Sequence, residues 1–146
     1  MGGGWRRADL ISEFPVGTYK KGHRHGAGAH IVVLSGQGYS LIWPEGGKRV
    51  RIDWQENSLF VPPDMWFHQH FNTGSESARY LAIHAERSYK YKGIGKDTNM
   101  FDRKSTKLGG NEIYYEDEDP EIRRLFKEEL TKTGAPFRMS EYFPGE

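Results

Sequence analysis

Histidine carries most of the chemistry open to this chain, and all six of its histidines fall between His23 and His84. His23-Arg24-His25 sets two imidazoles at i and i+2. In an extended strand both project to one face, where they can reach a single ion. His68-Gln69-His70 repeats the arrangement later in the chain. Cysteine is absent, which removes disulfides, thiolate metal sites and cysteine nucleophiles and leaves imidazole and carboxylate as the strong ligands. One such pair is a common pattern on any exposed strand. Two pairs within strands bounded by glycine and proline carry more weight.

The elements that must position these side chains are short. From about Ser12 to Arg87, apolar runs alternate with turn residues, the spacing of a sandwich or barrel. Strands are expected at Gly17 to Lys21, Ala29 to Leu34, Tyr39 to Trp43, Arg49 to Trp54, Ser58 to Val61, Phe67 to Phe71 and Ala78 to Glu86. Ser35-Gly36-Gln37-Gly38 and Glu45-Gly46-Gly47-Lys48 supply glycines able to take positive φ between paired strands. No internal repeat is visible, so residues 1–87 read as an N-terminal segment and one barrel. Residues 88–118 are rich in Gly, Lys, Asp and Asn, with Met100 and Phe101 as isolated apolar points; they read as a long loop or arm, most simply a solvated linker. Asp119-Pro120-Glu121 then gives an N-cap, a proline at the first helical position and an acid in the first turn, and Gly134 a stop. Ile122, Leu125, Phe126 and Leu130 recur at helical spacing. One amphipathic helix over 119–134 is expected to pack on the barrel or a partner, followed by a tail over 135–146.

Composition agrees and excludes other classes. A length of 146 residues fits one domain, and 18 Gly, 7 Pro and 14% aromatic residues favour strands. The fold class is therefore all-β with one C-terminal helix. Charges nearly cancel at +1 and are interspersed, which supplies no basic stripe for a phosphate backbone. Nucleic acid is not an expected partner. No apolar run approaches the ~18 residues of a membrane span. The start Met-Gly-Gly-Gly-Trp-Arg-Arg lacks the apolar stretch of a signal peptide, and Arg6 stands where myristoylation wants Ser or Thr. A cytoplasmic location is the expectation.

Gly17-x5-His23-x-His25, ending in Val33-Leu34-Ser35-Gly36-Gln37-Gly38, resembles the first cupin motif. Asn57-x5-Pro63-x-Met65-x2-His68-x3-Asn72 resembles the second. The resemblance covers roughly half the chain and implies a double-stranded β-helix or jelly-roll barrel with a metal ion in its mouth. Counting back from the Leu34 turn, Ala29 stands where most cupins carry a ligating glutamate, with His30 beside it. A centre without that carboxylate is similar to gentisate 1,2-dioxygenase and its relatives, whose iron is held by three histidines alone. Carried over position by position, the resemblance makes His23, His25 and His68 the ligands, with His30 as an alternative fourth if Gly26-Ala27-Gly28 bulges. Asn57 and Met65 replace motif glycines; Asn tolerates the left-handed region, and Met65 suggests a changed turn or an apolar side chain near the site.

Fe(II) is the favoured cofactor, and imidazole donors leave Mn, Ni, Zn and Cu open. Three neutral ligands favour a small anionic chelating substrate, an aromatic hydroxy acid or an enolisable diketone, with dioxygen as co-substrate. Gentisate dioxygenases carry two cupin domains per chain, so the single barrel leaves the substrate itself open. Tyr39, Trp43, Trp54, Trp66 and Phe67 are candidates for an apolar wall or for ordinary core, and neither Arg24 nor Arg79 is assigned to a substrate carboxylate. A metal-dependent isomerase or lyase is the alternative, with His70 or Tyr39 moving the proton. A non-enzymatic metal- or ligand-binding module is a third reading. His70 otherwise reads as a substrate contact or a partner of the ligands, with a surface or core-satisfied histidine as the plainer reading, and His84 as either near the mouth or a structural histidine. The arm and helix offer elements to exchange, which suits a homodimer.

Overall fold

Alternation along the strands decides which side of each sheet faces inward. The structure, a computed structural model, describes residues 7–26, 29–85 and 103–144. Among the described residues nine strands form: β1 Arg7–Phe14, β2 Gly22–His23, β3 His30–Ser35, β4 Gln37–Trp43, β5 Val50–Gln55, β6 Leu59–Phe60, β7 Phe67–Asn72, β8 Ala78–Ala85 and β9 Glu112–Ile113. They build two antiparallel sheets, in the orders β1-β8-β3-β6 and β5-β4-β7-β2-β9. One helix, α1, spans Pro120–Thr133. Among the described residues, no helix is long and apolar enough to cross a membrane.

The barrel interior is filled from both sheets. Phe14, Ala29, Ile31, Val33, Phe60, Ala78, Tyr80 and Ala82 meet Ile42 and Trp54, with Trp66 packed alongside. A second core lies on the outer face of the five-stranded sheet, where Tyr19, Tyr39, Leu41, Trp43, Phe67 and Phe71 take the apolar stripe Ile122, Phe126 and Leu130 of α1. Strand β7 sits between the two cores, so all six of its residues are buried. The helix starts and stops as its sequence dictates: Asp119 accepts from the Glu121 N–H, and Gly134, at φ 74°, donates to the Leu130 carbonyl.

Three expectations are corrected. The run Gly17 to Lys21 makes only a bridge, Tyr19 to Phe71, and regular pairing begins at Gly22–His23. Strand β1, which precedes every expected strand, was missed, because pairing with β8 along its whole length holds a segment whose first residues, Arg7-Ala8-Asp9, show no apolar alternation. Residues 103–118 are ordered rather than a solvated arm: 3₁₀ turns at Thr106–Leu108 and Tyr115–Asp117 flank β9, which completes the edge beside β2. The rest of the expected loop and Glu86, the end of the last expected strand, lie outside the described residues. At the first glycine turn only Gly36 takes positive φ, 83°. Gly38 instead lies in β4, where a Cβ would stand 1.9 Å from the Phe71 carbonyl oxygen.

Candidate metal centre

Three histidines converge on the interior side of the five-stranded sheet. His23 on β2 is the register partner of His68 on β7, which brings their ring centroids to 4.3 Å. His25 follows two residues after His23, and its ring lies 4.8 Å from that of His68 and 5.9 Å from that of His23. One ring nitrogen from each lies within 4.8 Å of the others. Among the described residues, no carboxylate joins this group.

Backbone contacts fix the segment that presents the first pair. Between the two histidines, Arg24 points the other way: its guanidinium donates to Asn111 and Glu45 and lies 4.6 Å over the Phe67 ring. Its N–H donates to the Asn111 carbonyl, so the ordered 103–118 segment pins the outer side of the histidine pair. On the inner side, the Met65 N–H donates to the His25 carbonyl. Met65 and Asn57 both hold positive φ, 57° and 68°. The turn that glycines would make is therefore retained with side chains in place, and at Met65 that conformation is strained.

The proton positions follow from what each ring touches. His23 Nδ1 donates to the Lys21 carbonyl at 3.1 Å, and His68 Nδ1 donates to the Trp66 carbonyl at 3.1 Å. His25 Nδ1 makes a longer bond to the Gly26 carbonyl, 3.4 Å. A carbonyl can only accept, so each ring carries its proton on Nδ1 and keeps the Nε2 lone pair for a ligand. Burial, the leading cause, lowers the basicity of all three, and the neighbouring imidazoles lower that of His25 and His68 further; His25 is pushed down to about 4. Neutral imidazoles with a fixed tautomer are the form a metal ion needs.

The other candidates are placed apart from this group. His70 lies on the same inward side of β7, its ring 5.7 Å from that of His68. Its Nδ1 is 2.7 Å from Ser40 Oγ, which also accepts from Trp54 Nε1 at 2.9 Å. Ser40 Oγ thus links His70 to Trp54 in the barrel interior. Phe60 and Tyr80 enclose the ring, and burial drives its basicity far down.

Tyr39 is not part of the site. It faces the opposite side of β4 from Ser40, stacked on Phe71 at 4.5 Å beneath α1. Strand alternation assigns it there once Ser40 faces inward. His30 is exposed while Ala29 is buried, the phase in which His30 faces away from the group and does not join it as the alternative fourth ligand. The residues Ala27 and Gly28, where a bulge would shift that phase, lie outside the described residues. Of the aromatic candidates, Trp54 and Trp66 belong to the interior, whereas Trp43 and Phe67 pack in the outer core with Tyr39. One residue of the surroundings was not singled out from sequence: Ser40, which gave no signal. His84, expected either near the mouth or as a structural histidine, is buried, and its ring lies 5.3 Å from that of His25.

No family model matches the sequence, and no curated protein is significantly similar to it. Solved structures are similar in fold. Oxalate decarboxylase of Lactobacillus farciminis, in a formate complex, aligns at 18% identity over 54% of this chain and 24% of its own, with a TM-score of 0.52. The cupin domain of Schizosaccharomyces pombe Cnp3 aligns at 20% identity over 61% of this chain and 60% of its own, with a TM-score of 0.50. A cupin 2 conserved barrel protein from Rhodopseudomonas palustris aligns at 20% identity over 59% of this chain and 56% of its own, with a TM-score of 0.49. The chain thus spans about a quarter of the decarboxylase and under two thirds of the other two. Its two antiparallel sheets form a cupin barrel with a single C-terminal helix added.

Proposed function

We propose that this chain binds one divalent metal ion on His23, His25 and His68 and acts as an Fe(II) dioxygenase on a small anionic chelating substrate. The observation that carries the reading is the donor set: three neutral imidazoles, each with its Nδ1 held by a backbone carbonyl, and no carboxylate beside them among the described residues. Such donors leave the charge of a bound ion uncompensated, which favours an anionic ligand offering two oxygens, as in an aromatic hydroxy acid or an enolised diketone. Bound there, ferrous iron would supply the means of bringing such a substrate and dioxygen to react. The resemblance of the sequence to the three-histidine centres of gentisate 1,2-dioxygenase supports this choice over carboxylate-containing alternatives.

The protein's own part is positioning and exclusion of water. The Lys21, Gly26 and Trp66 carbonyls hold the ligand rings in one tautomer, and the inner core, with Trp66 beside it, surrounds the cluster with apolar surface. His70, bonded to Ser40 and flanked by Phe60 and Tyr80, is a buried neighbour of the His68 ring.

A metal-dependent isomerase or lyase is the second reading, favoured by the two further imidazoles, His70 and His84, that lie near the ligands. Oxygen uptake separates the two readings. The iron-loaded chain is expected to consume dioxygen with one of a panel of phenolic acids and diketones; turnover retained without oxygen and with Mn(II) or Zn(II) would establish the isomerase or lyase instead.

A further inference from the structure

The three candidate ligands all belong to one wall of the barrel. His23 and His68 are paired strands of the five-stranded sheet, and His25 continues from β2. The four-stranded sheet forms the facing wall, and it presents one imidazole to the group. On β8 the inward side chains are Ala78, Tyr80, Ala82 and His84, all buried. In the pairing of β3 with β8, His30 stands opposite Ile83 and Ile31 opposite Ala82. Continued by one residue, that register sets Ala29 across from His84. Ala29 is buried and contributes only a methyl group, so at this row the interior has room for an imidazole ring. The His84 ring takes that direction and reaches His25 at 5.3 Å, between planes inclined by 65°. That separation is within the 4.3 to 5.9 Å spanned by the three ligand rings themselves.

We propose that His84 is the protein group that hydrogen-bonds the exogenous ligand of the metal centre, an anionic oxygen chelator, from the wall opposite the three metal ligands. The proposal rests on the metal-binding reading above. Three donors on one side of an ion leave its other side to small molecules, and the facing sheet brings the His84 imidazole to 5.3 Å from the His25 ring. A ring nitrogen of His84 donates to a bound oxyanion or accepts the proton of a bound hydroxyl, which none of the alanines on the same strand can do. His70 lies on β7, in the ligands' own sheet, bonded to Ser40 and flanked by Phe60 and Tyr80, so it does not approach from the facing wall.

Binding of two probes to the full chain tests this: Co(II) alone, followed by its visible spectrum, and then acetohydroxamate, a bidentate anionic chelator, titrated into the Co(II)-loaded protein. His84→Ala and His84→Gln are compared with the unaltered chain, each checked for its fold by circular dichroism. The expected result is a split. Co(II) stoichiometry and affinity stay within about threefold in both variants, while His84→Ala weakens acetohydroxamate by about 10- to 100-fold, the usual loss for a hydrogen bond to a charged group. His84→Gln, whose amide still donates, recovers part of that loss. Acetohydroxamate affinity unchanged in the folded His84→Ala variant would overturn the proposal. A more than tenfold loss of Co(II) in both variants would also overturn it, by making His84 a metal ligand. Failure of the unaltered chain to bind Co(II) would remove the metal-binding reading and this inference with it.

Discussion

The chain contains the same short pattern twice, and the two copies do different things. His23-Arg24-His25 gives both imidazoles to the ligand group; His68-Gln69-His70 gives only the first. Ring spacing does not separate them, since the centroids are 5.9 Å apart in one pair and 5.7 Å in the other. What differs is the partner of each Nδ1. Backbone carbonyls bind those of His23, His25 and His68, whereas the Ser40 hydroxyl binds that of His70. The strand context differs too. β2 is two residues long and leaves His25 on an irregular segment that can turn toward His68, while β7 is regular and carries His70 deeper among Phe60 and Tyr80. Equal spacing in sequence thus yields two members of the candidate ligand group in one place and a core histidine in the other.

Exchange of single residues breaks this comparison most sharply at the second pair. His68→Ala should lower metal affinity by more than about 100-fold, beyond what loss of an outer partner typically costs, and His70→Ala should leave it within a few-fold; equilibrium dialysis with elemental analysis reads both. The order reverses for stability. His70→Ala should destabilise the metal-free protein by about 2–4 kcal/mol, through a cavity and an unpaired Ser40, as measured by urea unfolding. Ser40→Ala should cost about 1–3 kcal/mol by the same measurement, because Trp54 Nε1 and His70 Nδ1 both lose their partner.

Protons offer a finer probe of the first pair. His25 ionises near 4 in the folded chain and near 6.5 when unfolded. Between those values the unfolded chain binds more protons, so metal-free stability falls as pH drops from about 6.5 toward 4. His25→Gln should flatten part of that slope. The smallest effect is expected at the strained turn that holds His25: Met65→Gly should raise stability by up to about 1 kcal/mol, since relief of the left-handed conformation is partly offset by added freedom in the unfolded chain.

Much of the site was legible because its signals are local. Strand parity puts histidines at i and i+2 on one face, and the cupin-like spacing selects His23, His25 and His68 as a set. The helix was legible for the same reason, with Asp119, Pro120 and Gly134 marking its ends. What escaped depends on long-range register. Tyr39 has no local sign of which face it takes; Ser40 settles that only through its contact with His70. His84 meets the ligand group through the pairing of β8 with β3, and Ala29 acquires meaning only as its cross-strand neighbour. The strand at Glu112–Ile113 is two residues in a polar stretch, and pairing with β2 alone defines it. Arg24 looked irrelevant to the site by parity, yet its outward contacts to Asn111 and Glu45 hold the pair in place.

Long-range ¹H–¹⁵N spectra of the histidine rings, recorded with and without stoichiometric Zn(II), test the distinction between the two pairs most directly. Three rings, those of His23, His25 and His68, should show a protonated Nδ1 in both states and a shift of Nε2 on adding the ion, while both His70 nitrogens keep their positions throughout. A metal-induced shift at a His70 nitrogen, or fewer than three shifted rings, would contradict the assignment of the centre.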